Sequence, residues 1–179
     1  ALWRDATIGH DQNFALAGNI NIYQNIFLGR ELTKSYLGGF IKILNKREMA
    51  SRSVDLISRL KIDIHQVTKR VKELSGGQQQ SVAIARVIAF NARLIIMDEP
   101  TANLGIKEVG RLLDLLRRLR EEGISIIFIS HRMDDIFSVG DRVIVLKRGR
   151  RVGMRRIRET TTKEVVHLIV SGDSKEGEA

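Results

Sequence analysis

The sequence predicts an α/β fold built on a parallel sheet, on three observations. Leu94-Ile95-Ile96-Met97 is an apolar run that leads straight into Asp98-Glu99-Pro100-Thr101. Such a run reads as a strand buried on both faces, and Pro100 cannot extend it, so both acids fall at the strand's carboxyl end. Residues 106–122 then place Ile106, Val109, Leu112, Leu113, Leu116 and Leu119 at spacings of three and four, a helix that Gly123 ends. Ile124-Ser125-Ile126-Ile127-Phe128-Ile129-Ser130 is a second apolar strand, also expected to be buried. Strand, helix and strand at this spacing form a βαβ unit, which makes the two strands parallel. It also sets His131 at the same sheet edge as Asp98 and Glu99, the edge where open α/β sheets bind ligands.

The other elements follow in chain order. Thr7-Ile8-Gly9 reads as the end of a strand. Ile20, Tyr23, Ile26 and Phe27 follow helical spacing, with Gly29 as the stop. Residues 33–45 contain the Gly38-Gly39 break and read as a loop into the next helix. That helix, 46–60, sets Met49, Val54, Leu56, Ile57 and Leu60 among charges. After a polar connection over 61–73, Leu74-Ser75-Gly76-Gly77-Gln78-Gln79-Gln80 opens a helix rich in small and apolar residues. Ser75 is placed to cap it, and a glycine-rich helix start leaves bare amides that suit an anion. Residues 132–139 read as a short helix. Val143–Leu146 and Arg151–Met154 read as a hairpin with its turn at 147–150. Thr161 and Glu164 have capping-box spacing ahead of a last helix that Gly172 stops.

Composition narrows the classes. A chain of 179 residues holds one domain with a real core, and without cysteine it has no disulfide and no thiolate metal site. No apolar stretch reaches the ~20 residues of a membrane span, and no charged-then-apolar leader opens the chain. The net charge of +9 suits nucleic acid, an anionic membrane surface or a phosphorylated ligand. Much of it lies in Lys147-Arg148-Gly149-Arg150-Arg151 and Arg155-Arg156-Ile157-Arg158, a solvated basic hairpin. No aromatic residue interleaves with that run, so it lacks the stacking platform of single-strand binders.

Taken in order, Leu74-Ser75-Gly76-Gly77-Gln78, the apolar strand ending Asp98-Glu99-Pro100-Thr101, and Ser130-His131 resemble the ATP-binding domain of ABC transporters. The resemblance runs from about Gln12 to the end. It implies a P-loop NTPase-like ABC ATPase domain, a parallel core sheet carrying a helical subdomain. The implied division is 1–19 as the end of the catalytic core with the Q-loop, 20–90 as the helical subdomain with the signature motif, and 91–179 as core again. Gln12 looks like the Q-loop glutamine, which reaches toward Mg²⁺ and the attacking water and senses the membrane partner. Ser75, Gly76, Gly77 and Gln78 look like the signature motif, which closes on the γ-phosphate of ATP held by the opposite subunit. Asp98 looks like the Mg²⁺ residue, Glu99 the general base and His131 the switch histidine.

A narrower likeness lies in Asn25-Ile26-Phe27-Leu28-Gly29-Arg30-Glu31 and Gln79-Gln80-Ser81-Val82-Ala83-Ile84-Ala85-Arg86. Both resemble the ATPases of simple-sugar importers for ribose, xylose, galactose or fructose. Gln24 stands where the first glutamate of that run is usual, and His10-Asp11 precede Gln12 where an aromatic is usual. Gly105 stands where many members carry an aspartate that carbohydrate members often lack. The implied function is ATP hydrolysis driving import of a simple sugar. The implied partners are transmembrane permease subunits, a second ATP-binding subunit in a head-to-tail dimer and, indirectly, a periplasmic sugar-binding protein. The place is the cytoplasmic face of the inner membrane, as a peripheral subunit, with no nucleic acid expected.

No Gly-x-x-x-x-Gly-Lys-Ser/Thr occurs, although the family's phosphate loop lies upstream of the Q-loop. The expectation is an amino-terminal truncation that binds little nucleotide alone. Two other readings compete. One is a truncated, non-catalytic binding fragment. The other is an ABC-type ATPase of nucleic acid, which the basic charge favours. The short stretch between Gln12 and Leu74, with no sustained heptads, opposes the latter.

Overall fold

A computed structural model describes residues 7–8, 16–36 and 40–172, in two compact units divided after Ile129. Gln12, Gly38 and Gly39 lie outside the described residues. The first unit contains β1 (Thr7–Ile8), α1 (Ile22–Ile26), β2 (Thr33–Tyr36), β3 (Ile41–Leu44), α2 (Lys46–Arg59), α3 (Gly76–Ile88), β4 (Leu94–Asp98), α4 (Ile106–Glu121) and β5 (Ser125–Ile129). The second contains α5 (Met133–Val139), β6 (Arg142–Lys147), β7 (Arg150–Arg156) and α6 (Thr162–Ser171).

The predicted parallel sheet is present, in the order β1-β4-β5. β4 pairs parallel with β5 from Leu94↔Ser125 to Asp98↔Ile129, and with β1 at Thr7↔Ile96 and Ile8↔Met97. Burial corrects the sequence reading. Along β4 only Ile95 and Met97 are fully buried, while Leu94, Ile96 and Asp98 are half-buried. β5 alternates outright: Ile126 and Phe128 are half-covered, while Ile127 and Ile129 are 47% and 46% exposed. A strand shows alternation when one of its faces is covered and the other is not, since successive side chains point to opposite faces.

The expected loop at 33–45 is instead an antiparallel hairpin, β2 paired to β3 from Thr33↔Leu44 to Tyr36↔Ile41. Thr33, Tyr36, Ile41 and Ile43 favour extended backbone, which is why this stretch pairs as strands. α2 starts at Lys46, as the sequence predicts, with Asn45 as its cap: the Asn45 side chain accepts the Glu48 N–H at 3.3 Å. α1 packs on both α2 and α3. Its approach is stitched to the segment leading into α3. Ile22 N–H donates to the Lys69 carbonyl at 3.0 Å, Tyr23 N–H to Val67 at 3.1 Å, and Val71 N–H to Ile20 at 3.2 Å.

In the second unit, Arg148 and Gly149 turn the β6–β7 hairpin with φ of +49° and +74°, the left-handed pair that suits a tight reversal. Val143, Val145, Val165 and Leu168 form its core under α6. Thr161 and Glu164 make the expected capping box, and Gly172 ends α6 at φ +72°.

Candidate functional site

The start of α3 is built by reciprocal bonds. Ser75 Oγ accepts the Gln78 N–H at 3.3 Å, and Gln78 Oε1 accepts the Ser75 N–H at 3.1 Å. The Gln78 amide then donates to the Asp63 carbonyl at 2.8 Å, which ties the cap to the preceding connection. Gln79 N–H bonds the Ser75 carbonyl at 2.9 Å, so the helical ladder begins there and the amides of Gly76 and Gly77 precede it. With the positive end of the helix dipole behind them, these amides favour an anion.

α4 supplies a side chain to this spot. A Cβ on Gly77 would stand 3.1 Å from Glu108 Cβ and 3.2 Å from its Cγ and Cδ. Glu108 Oε2 accepts the Gly105 N–H at 3.2 Å. A hydrogen bond from the Ser75 hydroxyl holds the Glu108 carboxyl below the usual glutamate range. The Gly105 and Gly77 amides and the Arg111 charge act in the same direction, against burial. A cavity of about 270 Å³ adjoins, with Lys61, Asp63, Ser75, Gly77, Glu108 and Arg111 in its wall. Glu108 was not singled out in the sequence. The signal present was its position three residues after Gly105, the spacing of a helix-start carboxylate.

The second cluster is the carboxyl end of β4. Asp98 is the last strand residue and is half-buried. Glu99 leaves the strand with φ +47°, a left-handed backbone unusual outside glycine and of order 1–3 kcal/mol in cost. Its N–H still donates to Ile129 at 2.9 Å, so the sheet holds Glu99 at its edge while the chain turns away. Ala102 N–H donates to the Glu99 carbonyl at 3.2 Å, Leu104 N–H to Thr101 at 3.3 Å, and Thr101 is fully buried. Glu99 Oε2 is closed from solvent.

Among the described residues no three His, Asp or Glu side chains gather to hold a metal. Asp98 nevertheless fits Mg²⁺, which commonly takes one or two carboxylates and completes its shell with water and substrate phosphates. Of the remaining candidates, Gln12 lies outside the described residues. His131 is exposed near the start of the second unit, where Arg132 N–H donates to Ser130 Oγ at 3.1 Å.

The two stretches of the narrower likeness meet. Arg86, in α3, donates to the Leu28 carbonyl at 3.3 Å. Phe27 and Phe90 stack edge to face at 6.2 Å, and the Arg30 guanidinium lies 4.6 Å from the Phe90 ring centre. Gly29 takes φ +82°, and its N–H donates to Glu31 at 3.0 Å. Asn25, fully buried, bonds the backbone of Ala17, Ile20 and Asn21. The Arg86 bond ties this stretch to α3, the helix whose start carries Ser75 and Gly77.

Comparison with known proteins gives the family and the fold. Residues 4–102, more than half of the chain, match the family described as ABC transporter. The xylose/arabinose import ATP-binding protein XylG of Sulfolobus acidocaldarius is 38% identical over 160 residues, covering 89% of this chain and 61% of that protein. The fructose import ATP-binding protein FrcA of Rhizobium meliloti is 37% identical over 170 residues, covering 94% and 65%. The ribose import ATP-binding protein RbsA of Caldanaerobacter subterraneus is 38% identical over 165 residues, covering 92% and 32%. The chain thus spans from a third to under two thirds of the length of these relatives. Among solved structures, cbiO1 of Clostridium perfringens, part of the ABC transporter complex cbiONQ, aligns with TM-score 0.68 at 27% identity, over 92% of this chain and 60% of that one. The ATP-binding cassette MJ0796, dimeric and bound to ADP and Pi, aligns with TM-score 0.65 at 26% identity, over 87% and 65%. With an α/β fold shared by these cassettes and a capped Ser-Gly-Gly helix start followed by an acid-ended strand, the chain belongs to the ABC transporter family.

Proposed function

We propose that the chain is part of an ATP-hydrolysing subunit that energises import of a simple sugar by an ABC transporter. One observation carries this reading. The anion-ready start of α3 and the acid-ended edge of β4 stand in one unit, in the order of the signature and Mg²⁺-binding parts of such an ATPase.

Each residue then has a task. Ser75, Gly76, Gly77 and Gln78 close on the γ-phosphate of an ATP held by a second subunit, head to tail with the first. The Gly76 and Gly77 amides and the Ser75 hydroxyl neutralise charge that builds on the phosphate. Asp98 holds Mg²⁺, with Gln12 reaching the same ion. When bound, the ion would offset negative charge on the phosphate. Glu99 takes a proton from the attacking water, and its hold on the sheet edge through Ile129 keeps the carboxylate in register with Asp98. Gln12 orients that water and senses the membrane partner, and His131 contacts the γ-phosphate.

The division that goes with these roles is core over 1–19, helical subdomain over 20–90 and core again over 91–179. No helix among the described residues is long and apolar enough to cross a membrane, which fits a peripheral subunit docked on permease subunits at the cytoplasmic face. A periplasmic binding protein delivers the sugar. The names of the relatives, for xylose/arabinose, fructose and ribose, support a pentose or hexose as cargo. The experiment is reconstitution of the full-length protein with its permease in vesicles, with ATP turnover and sugar uptake measured together. Turnover that rises with sugar-loaded binding protein supports the reading. Turnover without any sugar uptake removes the transport role.

A further inference from the structure

We propose that Arg118 is a positioning residue for ATP turnover: it clamps the segment Arg59–Asp63 to α4, and that segment sets the Gln78 side chain at the start of α3. The inference rests on the assignment of Ser75, Gly76, Gly77 and Gln78 to the γ-phosphate, and it adds the support that holds them in place.

The clamp is a ladder along one side of α4. Arg111, Arg118 and the C-cap Glu122 follow at spacings of seven and four, so they share a face of that helix. The segment leaving α2 crosses this face in the opposite direction. Arg59 meets Glu122 at 2.7 Å, the Leu60 carbonyl accepts from Arg118 Nη2 at 3.0 Å, and Asp63 pairs with Arg111 at 3.1 Å. The outer two are largely exposed ion pairs of little strength. The middle rung differs. Leu60 is 1% exposed, and the half-buried Arg118 has its Nε closed from solvent, without a partner among the described residues. An unmet buried donor weakens a fold, so what Arg118 contributes is its hold on the Leu60 carbonyl.

The backbone between the rungs is set as well. Lys61 takes φ +51°, with its N–H on the Ser58 carbonyl and the Ile62 N–H on the Ile57 carbonyl, both at 3.0 Å. This left-handed closure ends α2 and turns the chain in one fixed direction, so a shift at Leu60 is carried on to Asp63. The Asp63 carbonyl accepts from Gln78 Nε2 at 2.8 Å, while Gln78 Oε1 accepts the Ser75 N–H at 3.1 Å. The Gln78 amide is thus held at both ends, by the segment and by the cap. Close packing does not fix this spot. A cavity of about 270 Å³ adjoins Ser75, Gly77 and Gln78, with Arg111 and Arg118 also in its wall. Side chains beside a void lose the contacts that hold a packed residue, which leaves the hydrogen bonds to set the place of this helix start.

The test is steady-state ATP turnover by the full-length protein, each rate normalised to the protein that binds a non-hydrolysable ATP analogue, so that unfolded material does not count. Arg118→Met keeps the stem and removes the donors. It should lower kcat about three- to tenfold, the scale of one lost hydrogen bond, and leave the KM for ATP unchanged. Arg118→Lys keeps a donor for the Leu60 carbonyl and should bring kcat to within about twofold of wild type. In a Gln78→Met background, where the link is already cut, Arg118→Met should change kcat by less than about twofold. Arg111→Met alters an exposed rung that folding does not need, and it should lower kcat about two- to threefold. Unchanged kcat in Arg118→Met, or in Arg111→Met should Arg118→Met not fold, overturns the proposal and leaves the ATPase reading intact. So does an equal loss in both Gln78 backgrounds, a failure of lysine to rescue, or a raised KM with unchanged kcat. A wild type without turnover overturns both readings.

Discussion

Asn25 and Ala17 are joined by two opposed hydrogen bonds: Asn25 Oδ1 accepts the Ala17 N–H at 2.7 Å, and Asn25 Nδ2 donates to the Ala17 carbonyl at 2.9 Å. The side chain acts as one more peptide group, holding an irregular approach segment onto α1 at a position with no solvent exposure. Backbone groups that lose such a partner away from water incur their full desolvation penalty. Asn25→Ala should therefore cost about 2–4 kcal/mol in folding stability. Urea denaturation of the two proteins checks this, and a loss below about 1 kcal/mol would mean that water replaces the side chain.

A side chain at Gly77 would meet Glu108 carbons at 3.1–3.2 Å, so Glu108 must give way by a few tenths of an ångström. Gly77→Asp adds a carboxylate beside an existing one and at the helix start itself. In the full-length protein it should reduce ATP hydrolysis by about a hundredfold or more, the scale of losing a preorganised anion donor. Unchanged hydrolysis would remove the Ser75–Gln78 stretch from the phosphate site.

Glu99 is the residue whose backbone departs from the strand, and it is assigned the proton. Glu99→Gln keeps size and removes the base. Turnover should fall by about 10²–10⁴-fold, and an ATP-bound dimer should persist on size-exclusion chromatography. If ATP no longer binds to the variant, the proton-transfer role belongs elsewhere.

Acid should weaken the second unit through Glu164. A hydrogen bond from the Thr160 hydroxyl, with the Thr161 amide and hydroxyl and the Arg155 charge, lowers its pKa from the ordinary 4.5. A carboxylate with a depressed folded pKa contributes stability that is complete above 4.5 and is lost as the pH falls through the folded value. The thermal midpoint of the wild type should drop on acidification below pH 4.5 more than that of Glu164→Gln, as followed by circular dichroism. Parallel acid profiles would show that the capping bonds do not depend on the charge.

Much of this architecture is legible along the chain because the signals are local. A Ser-Gly-Gly start makes its own cap, apolar residues at spacings of three and four make α4, and Pro100 ends β4 after its acids. Residues 33–45 read as a loop because Gly38-Gly39 is the strongest local signal there, yet the β-favouring residues on either side, among them Thr33, Tyr36, Ile41 and Ile43, pair as a hairpin.

What the linear order determined by itself is the set of parts: the parallel βαβ unit, the capped helix start and the acidic strand end. Only the tertiary structure decided who meets whom. Arg86 reaching Leu28, Asn25 holding Ala17 and Glu108 lying on Gly77 each join residues from different elements or from irregular backbone. No periodicity encodes such encounters. They arise when packing brings two elements within hydrogen-bond reach, and burial then makes an unmatched polar group too costly to leave. The exposed face of β5 has the same origin, since an apolar run looks alike in sequence whether one face or two are covered.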